Sequence, residues 1–260
     1  MDLGLKNKRA LVLGASRGLG AAIAQGLAKE GATVVAAARS KDKIEAWAKE
    51  LPASAGAVQA YELDLSDHAA IDDLADKLLA EGGVDILVNN TGGPPPATAV
   101  DAKRGDWIAN FETMAANIFH LTGRLLPAMR ERKWGRVLTV TSSGVEQPIP
   151  ILALSNGIRS AIVGWSKTLA TEVARDGVTV NILMPGRIHT QRVVELDTAA
   201  ANRSGKPLEE VSAAAAESIP MGRYGDPEEF ANMAVFLASE RASYVTGTKV
   251  RIDGGATRSV

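Results

Sequence analysis

Two short stretches of this 260-residue chain carry residue types whose spacing could do chemistry. GASRGLG, Gly14 to Gly20, follows an apolar run and leads into a helical pattern. Its glycines suit a tight turn, close approach of an anion to the backbone, and a helix N-terminus whose unbonded N–H groups face a phosphate. Gly14, Ser16, Arg17, Gly18, Leu19 and Gly20 are therefore the candidate contacts to a pyrophosphate. ALSNGIRSA, Ala153 to Ala161, reads as the start of an amphipathic helix, with Ser155 and Arg159 four residues apart on one face. A hydroxyl and a permanent cation so disposed can anchor a sugar and offset negative charge, but serine is a far weaker acid than a phenol.

The elements that must hold these residues are legible as an alternation. RALVLG, ATVVAAA, VQAYEL, VDILVNN, GRVLTVT, VTVNILMP and TKVRID are short apolar or β-branched runs, hydrophobic enough along their length to be buried on both faces. Helical stripes lie between them. Leu19, Ile23 and Leu27 precede Gly31; Ile71, Leu74 and Leu78 follow Asp67 and stop at Gly82; Ile158, Ala161, Ile162, Trp165 and Leu169 mark the face of the helix that carries Ser155. The pattern predicts an α/β fold of the Rossmann type, a doubly wound parallel sheet of about seven strands with helices on both faces. Two segments interrupt it, the stiff GGPPPAT at 92–98 and the region 187–224. Both follow strand C-termini, where open α/β sheets bind ligands, and the second is long enough to be a substrate lid within one domain spanning 1–260.

Composition removes several classes of function. Twenty-nine Lys and Arg balance thirty Asp and Glu with no dense run of either sign, so neither a nucleic-acid nor a membrane partner is expected. There is no cysteine, which excludes disulfides, thiolate metal sites and a thiol nucleophile and fits a cytoplasmic protein. His68, His120 and His189 are too scattered to make a metal-ligand spacing, so no metal site is expected. The opening MDLGLKNKRALVLG has only a strand-length apolar run, too short for a signal peptide or a span. A small polar ligand remains as the expected partner.

GASRGLG, LDL at 63–65, NNTG at 89–92, TSS at 141–143, NILMPGRIHT at 181–190 and the closing VTGTKVRIDGG occur in an order that resembles the short-chain dehydrogenase/reductase family, nearest to its 3-oxoacyl-(acyl-carrier-protein) reductase group. The resemblance implies a nicotinamide dinucleotide site in which Asp64 and Leu65 hold the adenine edge, Asn90 and Gly92 line the floor, and Pro185, Gly186 and Ile188 meet the nicotinamide. Taken singly, Asp64 could instead cap a turn, and Pro185 with Gly186 could end a strand. The second strand ends AAARS, with Arg39 and no acid, and Arg17 sits in the Gly-rich loop. Two guanidiniums suit a ribose 2′-phosphate, so the expected cofactor is NADP(H), with NAD(H) the alternative.

In the family a Tyr-x-x-x-Lys pair supplies the proton, a serine holds the carbonyl oxygen and an asparagine on the preceding helix supports a water relay. Here tyrosine's place falls on Ser155, lysine's on Arg159 and the asparagine's on Met114, with Asn117 one turn further on. The serine is Ser142 by spacing or Ser143 by the look of the doublet. Ser142, Ser143, Ser155 and Arg159 are thus the candidate catalytic residues, Arg159 also touching the cofactor, while water or a side chain such as His189 would have to bring the proton. The expected activity is reduction of a small-molecule carbonyl, 3-oxoacyl thioesters included, or oxidation of an alcohol. The alternative is a nucleotide-binding protein without chemistry, acting as a sensor or partner subunit. The family also implies a homo-oligomer, usually a tetramer, built from the helices around Phe111 to Arg130 and Ala153 to Arg175.

Overall fold

Each of the seven apolar runs forms a strand in a computed structural model, which describes residues 1–259. They are β1 (Arg9–Leu13), β2 (Thr33–Ala38), β3 (Val58–Glu62), β4 (Ile86–Asn89), β5 (Gly135–Val140), β6 (Val178–Pro185) and β7 (Lys249–Ile252). All pair in parallel in one sheet of order β3-β2-β1-β4-β5-β6-β7. Leu11 of β1, for instance, is in register with Val35 on one side and Leu87 on the other. The order reverses between β1 and β4, which opens a crevice at their C-terminal ends. GASRGLG and NNTG both leave the sheet there.

Helices cover both faces because alternate strand residues must be buried on opposite sides. Ala10, Val12, Val34 and Ala36 pack under α1 (Gly18–Lys29), the Ile44 and Trp47 side chains of α2 (Lys41–Ala48), and α9 (Pro227–Ala238). Leu11, Leu13, Val35 and Ala37 pack under α3 (His68–Ala80), α5 (Asn117–Glu131) and the second half of α6 (Ala153–Val173). Along α6 the predicted stripe is buried at Ile158, Ile162 and Leu169, but Ala161 is exposed, and Trp165 lies half-buried in a stack on Phe119 at 4.2 Å between ring centroids. The buried surface of α6 is taken instead by Leu154, Ser166 and Ala170, so the face rotates slightly from the one read off the sequence.

The two interruptions acquire structure. Residues 94–96 are consecutive prolines that deliver Ala97 to Leu152, where Ala97 N–H donates to the Ile151 carbonyl at 2.8 Å and Ala153 N–H donates to the Ala97 carbonyl at 3.2 Å. The chain then enters α4 (Arg104–Phe111) and a π-helical turn, Glu112–Ala116, that runs into α5. The region 187–224 contains two helices, α7 (Gln191–Ser204) and α8 (Leu208–Glu217), hinged at Gly205 with φ +68°. Asp197 of α7 is 2% exposed, and a carboxylate buried so completely must be paired. It accepts from the Tyr224 hydroxyl at 2.7 Å and from Arg187, which fastens α7 to both ends of the region 187–224.

α9 opens with a capping box that the DPEE sequence encodes. Asp226 is the N-cap, Pro227 follows, and Glu229 Oε2 accepts from the Asp226 N–H at 2.8 Å while its carboxylate also takes two bonds from Arg223. The Arg223 hydrogen bond first, and the Asp226 N–H second, hold the Glu229 carboxyl down at about 2 from an ordinary 4.5. A depressed folded value stabilises the fold fully above the unfolded one and is lost as pH falls through the folded one. The urea midpoint of wild type should therefore exceed that of Glu229→Gln at neutral pH and the gap should close between about pH 4.5 and about pH 2. A gap that persists unchanged at the acid end would show that the Arg223–Glu229 pair contributes nothing through its charge.

Candidate active site

The Gly-rich turn is set by backbone contact. Gly14 and Gly18 have φ of +62° and +59°, and a Cβ on Gly20 would collide with the Gly14 carbonyl and come within 2.7 Å of Asn90 Nδ2. The Asn90 amide in turn donates to the carbonyls of Leu13 and Gly14, at 3.2 and 3.4 Å, so the ends of β1 and β4 are tied across the crevice. α1 then starts at Gly18 with no side-chain cap on its N-terminus and no acid in its first turn. Those free N–H groups and their positive dipole end can receive an anion, and the absence of side chains leaves room for it to approach. Ser16 and Leu19 flank this opening half-buried, and Arg17 reaches over it, its guanidinium 4.0 Å from Glu195 of α7. Thr190, just ahead of α7, closes on Gly18 from the other side.

At the far side of the crevice, Arg39 stands exposed at the end of β2. Asp64 accepts from Ser66 N–H at 2.9 Å and Ser66 Oγ at 2.8 Å, bonds that, with the charge of Arg39, hold its carboxyl below the usual range. Asp64 thus caps its own turn and also lies in the field of Arg39. The Leu65 carbonyl accepts from Asn117 Nδ2 at 2.8 Å. Asn117 therefore commits its amide to that turn. Met114, at the asparagine position of the family, is buried with Ala115, Leu154, Ile158 and Ile162. No polar relay runs through it.

The chemical end is built on β5 and α6. Ser142 follows Thr141 past the end of β5, and its Oγ accepts from Gly144 N–H at 3.1 Å as the cap of a short 3-10 turn, Ser143–Val145. Ser155 is half-buried in the first turn of α6. That turn is held by Ala97 and by Asn156, whose Nδ2 donates to the Ile149 carbonyl at 2.9 Å. Ile151, immediately before it, has φ +62°. A β-branched residue in the left-handed region is a costly conformation, retained only where its surroundings impose it. One turn further on, Arg159 is 7% exposed, and its Nη1 donates to the Val140 carbonyl at 2.9 Å. Burial first, and the charge of Arg192 second, pull the guanidinium down to about 10, still charged at neutral pH. Its hydrogen bond goes to a neutral carbonyl, so the guanidinium keeps its charge uncompensated there and further N–H donors besides.

Pro185 ends β6, and Gly186 N–H donates to the Ile252 carbonyl at 2.9 Å, turning the chain toward Ile188, which is buried and bridged to Gly225. Arg192, in the first turn of α7, donates to the Pro94 carbonyl at 3.2 Å and lies beside Gly93, next to Gly92. α7 is therefore joined both to the Gly-rich loop, through Arg17, and to the segment after β4, through Pro94. His189 is exposed and sits edge-on to Tyr224, 5.4 Å between centroids. With Val193, Asp197, Ser212 and Tyr224 it lines a cavity of about 550 Å³ against α7 and α8, apart from Ser142, Ser155 and Arg159. Tyr224, absent from the sequence reading, is no ready acid, since burial and its bond to Asp197 raise its hydroxyl above the ordinary value. The other histidines, 52 positions apart in the chain, meet at one carboxylate, Asp72, a meeting no local spacing could announce.

Residues 14–257 match the family model described as enoyl-(acyl carrier protein) reductase. The chain is 34% identical to the 3-oxoacyl-(acyl-carrier-protein) reductase of Escherichia coli over 97% of this chain and 98% of that protein. It is 35% identical to nodulation protein G of Azospirillum brasilense, over 96% of this chain and 98% of that protein. Among solved structures, L-sorbose reductase from Gluconobacter frateurii complexed with NADPH and L-sorbose superposes with a TM-score of 0.93 and 34% identity, covering both chains in full. The parallel sheet, the braced glycine turn at its switch point and this likeness along nearly the whole length together mean that the chain belongs to the short-chain dehydrogenase/reductase family.

Proposed function

We propose that this protein is an NADP(H)-dependent oxidoreductase that moves a hydride between the dinucleotide and a small-molecule carbonyl or alcohol, 3-oxoacyl thioesters being one class. The observation that carries the reading is Arg159, a buried cation bonded to the carbonyl at the C-terminal end of β5, on the same sheet edge as the Gly-rich turn that follows β1. That turn fits the cofactor: the Gly14 and Gly20 contacts leave no space for side chains, and the α1 N-terminus is uncapped. Gly14, Ser16, Arg17, Gly18, Leu19 and Gly20 would hold the pyrophosphate, Arg39 and Arg17 the 2′-phosphate, Asp64 and Leu65 the adenine. Asn90, Gly92, Arg159, Pro185, Gly186 and Ile188 would line the ribose and nicotinamide. When bound, the dinucleotide supplies or accepts the hydride.

The chain's own residues do the rest. Arg159 offsets negative charge on the substrate oxygen, Ser142, or its neighbour Ser143, donates a hydrogen bond to that oxygen, and Ser155 orients the group without acidifying it. The proton comes from water admitted to the cleft. Residues 187–224 act as the lid of a single domain, 1–260, closing through Arg192 and Arg17. The protein is a cytoplasmic homotetramer assembled through the helices around Phe111 to Arg130 and Ala153 to Arg175, a reading that rests on the family; the exposed Phe111 supplies apolar surface to the first of these. The buried Met114 favours a second reading, a nucleotide-binding sensor or partner subunit that has given up catalysis, since it replaces a polar relay with packing.

NADPH fluorescence on titration, followed by NADPH consumption against carbonyls that include 3-oxoacyl thioesters, separates the two: binding with turnover supports the enzyme, binding without turnover the sensor. Arg39→Asp should weaken NADPH by tenfold or more, about 1.4 kcal/mol, while leaving NADH little changed, and equal losses would overturn the 2′-phosphate assignment. Restoring the family pair with Ser155→Tyr and Arg159→Lys together tests the proton supply. General acid catalysis is worth about 10² to 10⁴ in rate, so kcat for a substrate already turned over should rise toward that range. A kcat that falls, with NADPH affinity kept, would mean that the Ser155 and Arg159 set works with an acid of its own.

A further inference from the structure

Outside the cleft, one cluster joins residues from two helices around a single carboxylate. His68 is the first residue of α3 and Asp72 lies one turn on, so the two share a face. His120 projects from α5 toward them. Its Nε2 is 2.8 Å from Asp72 Oδ1, and His68 Nε2 is 3.5 Å from Asp72 Oδ2. The two imidazoles are 4.5 Å apart between centroids and tilted by 47°, and the three ligand atoms all lie within 4.8 Å of one another. Arg124, one turn along α5 from His120, contacts both Asp72 and Asp76. A surface ion pair needs one imidazole on a carboxylate. Here two converge, both by the same ring nitrogen, and one of them sits where no packing demands it, His68 being 57% exposed.

We propose that His68, Asp72 and His120 form a binding site for a borderline divalent transition-metal ion, Zn²⁺ in particular, that clamps α3 to α5. Two imidazole nitrogens and a carboxylate oxygen are a ligand set for Zn²⁺ at bonds of about 2.0–2.2 Å, with water completing the tetrahedron. At that bond length tetrahedral ligand atoms stand about 3.3 Å apart; the imidazole nitrogens lie 2.8 and 3.5 Å from the two Asp72 oxygens and the ligand atoms all within 4.8 Å, so the three side chains rotate to bring one oxygen and both nitrogens onto the ion. The mixed nitrogen and oxygen set disfavours Ca²⁺ and Mg²⁺, which take oxygen ligands. Arg124 competes for Asp72, but it retains Asp76 when Asp72 turns to the ion. The clamp reinforces a bond already joining the same two elements, Asn117 Nδ2 to the Leu65 carbonyl, three residues ahead of His68.

The test is isothermal titration of chelator-treated protein with zinc chloride at pH 7.5, beside thermal unfolding with and without the salt. One Zn²⁺ per chain is expected, with a raised unfolding midpoint. His68→Ala and His120→Ala should each weaken binding by about tenfold or more and remove the midpoint shift, while turnover without zinc is unchanged. Arg124→Gln should tighten binding by releasing Asp72. No zinc uptake by wild type, or equal uptake by the doubly substituted His68→Ala, His120→Ala protein, would overturn the site. So would unchanged or weaker binding in Arg124→Gln.

Discussion

The arrangement depends on how closely two backbones approach at the sheet's reversal point. β1 and β4 diverge into different halves of the fold there, and the gap between their ends is spanned by the Asn90 amide reaching the Leu13 and Gly14 carbonyls. Gly20 returns over the same carbonyl with no room for a side chain. The contact fixes where α1 begins, and hence where its unbonded N–H groups point. A longer residue at either glycine would push α1 off the sheet, and the packing of Ile23 and Leu27 against the strands would move with it. Anion recognition and core packing are therefore consequences of a single steric constraint.

The other end of the cleft is assembled by a different means. Nothing in the first turn of α6 supplies a side-chain cap or an acid. Its position comes from outside, from a proline-stiffened segment that pairs with Leu152, from Asn156 bracketing the Ile149 backbone, and from Ile151 held in a left-handed conformation. Strain at this place means that the surrounding contacts over-determine it. That outlay is directed at the turn carrying Ser155 and, one turn on, Arg159. The left-handed Ile151 therefore marks the turn that carries Ser155 as one fixed by its surroundings and not by its own sequence.

How much of this the sequence disclosed follows the range of the interactions. All seven strands and the glycine turn were legible because parallel burial and positive φ leave local marks, in apolar runs and in glycine. The face of α6 was read nearly correctly, missing at Ala161, since periodicity fixes a stripe only to within a residue or so. The region 187–224 looked irregular and is two helices. Their small alanine-rich stripes are weak signals, and α7 is fastened by a buried Asp197 whose partners, Tyr224 and Arg187, lie outside it. Asn117 bonding to Leu65, and His68 meeting His120, are pairings between separate elements. No spacing within a segment encodes them, and only the packing of α3 on α5 brings them into being.

Arg159 stands where the family resemblance places a lysine, and the two side chains differ in how they hold a charge when buried. A buried lysine in a low-dielectric cleft can lose its proton, and its usual neighbour, a phenol, profits from the ammonium by ionising more readily. With Ser155 as the neighbour there is no phenol to acidify, so a titratable cation has no partner for its proton. Arginine keeps its charge despite burial and the nearby Arg192, with its acidity still near 10. Its planar fork also allows one N–H to bond the Val140 carbonyl, which fixes the side chain, while other donors of the guanidinium remain. A buried arginine at this position therefore holds its positive charge at neutral pH, whatever stands four residues before it on the helix.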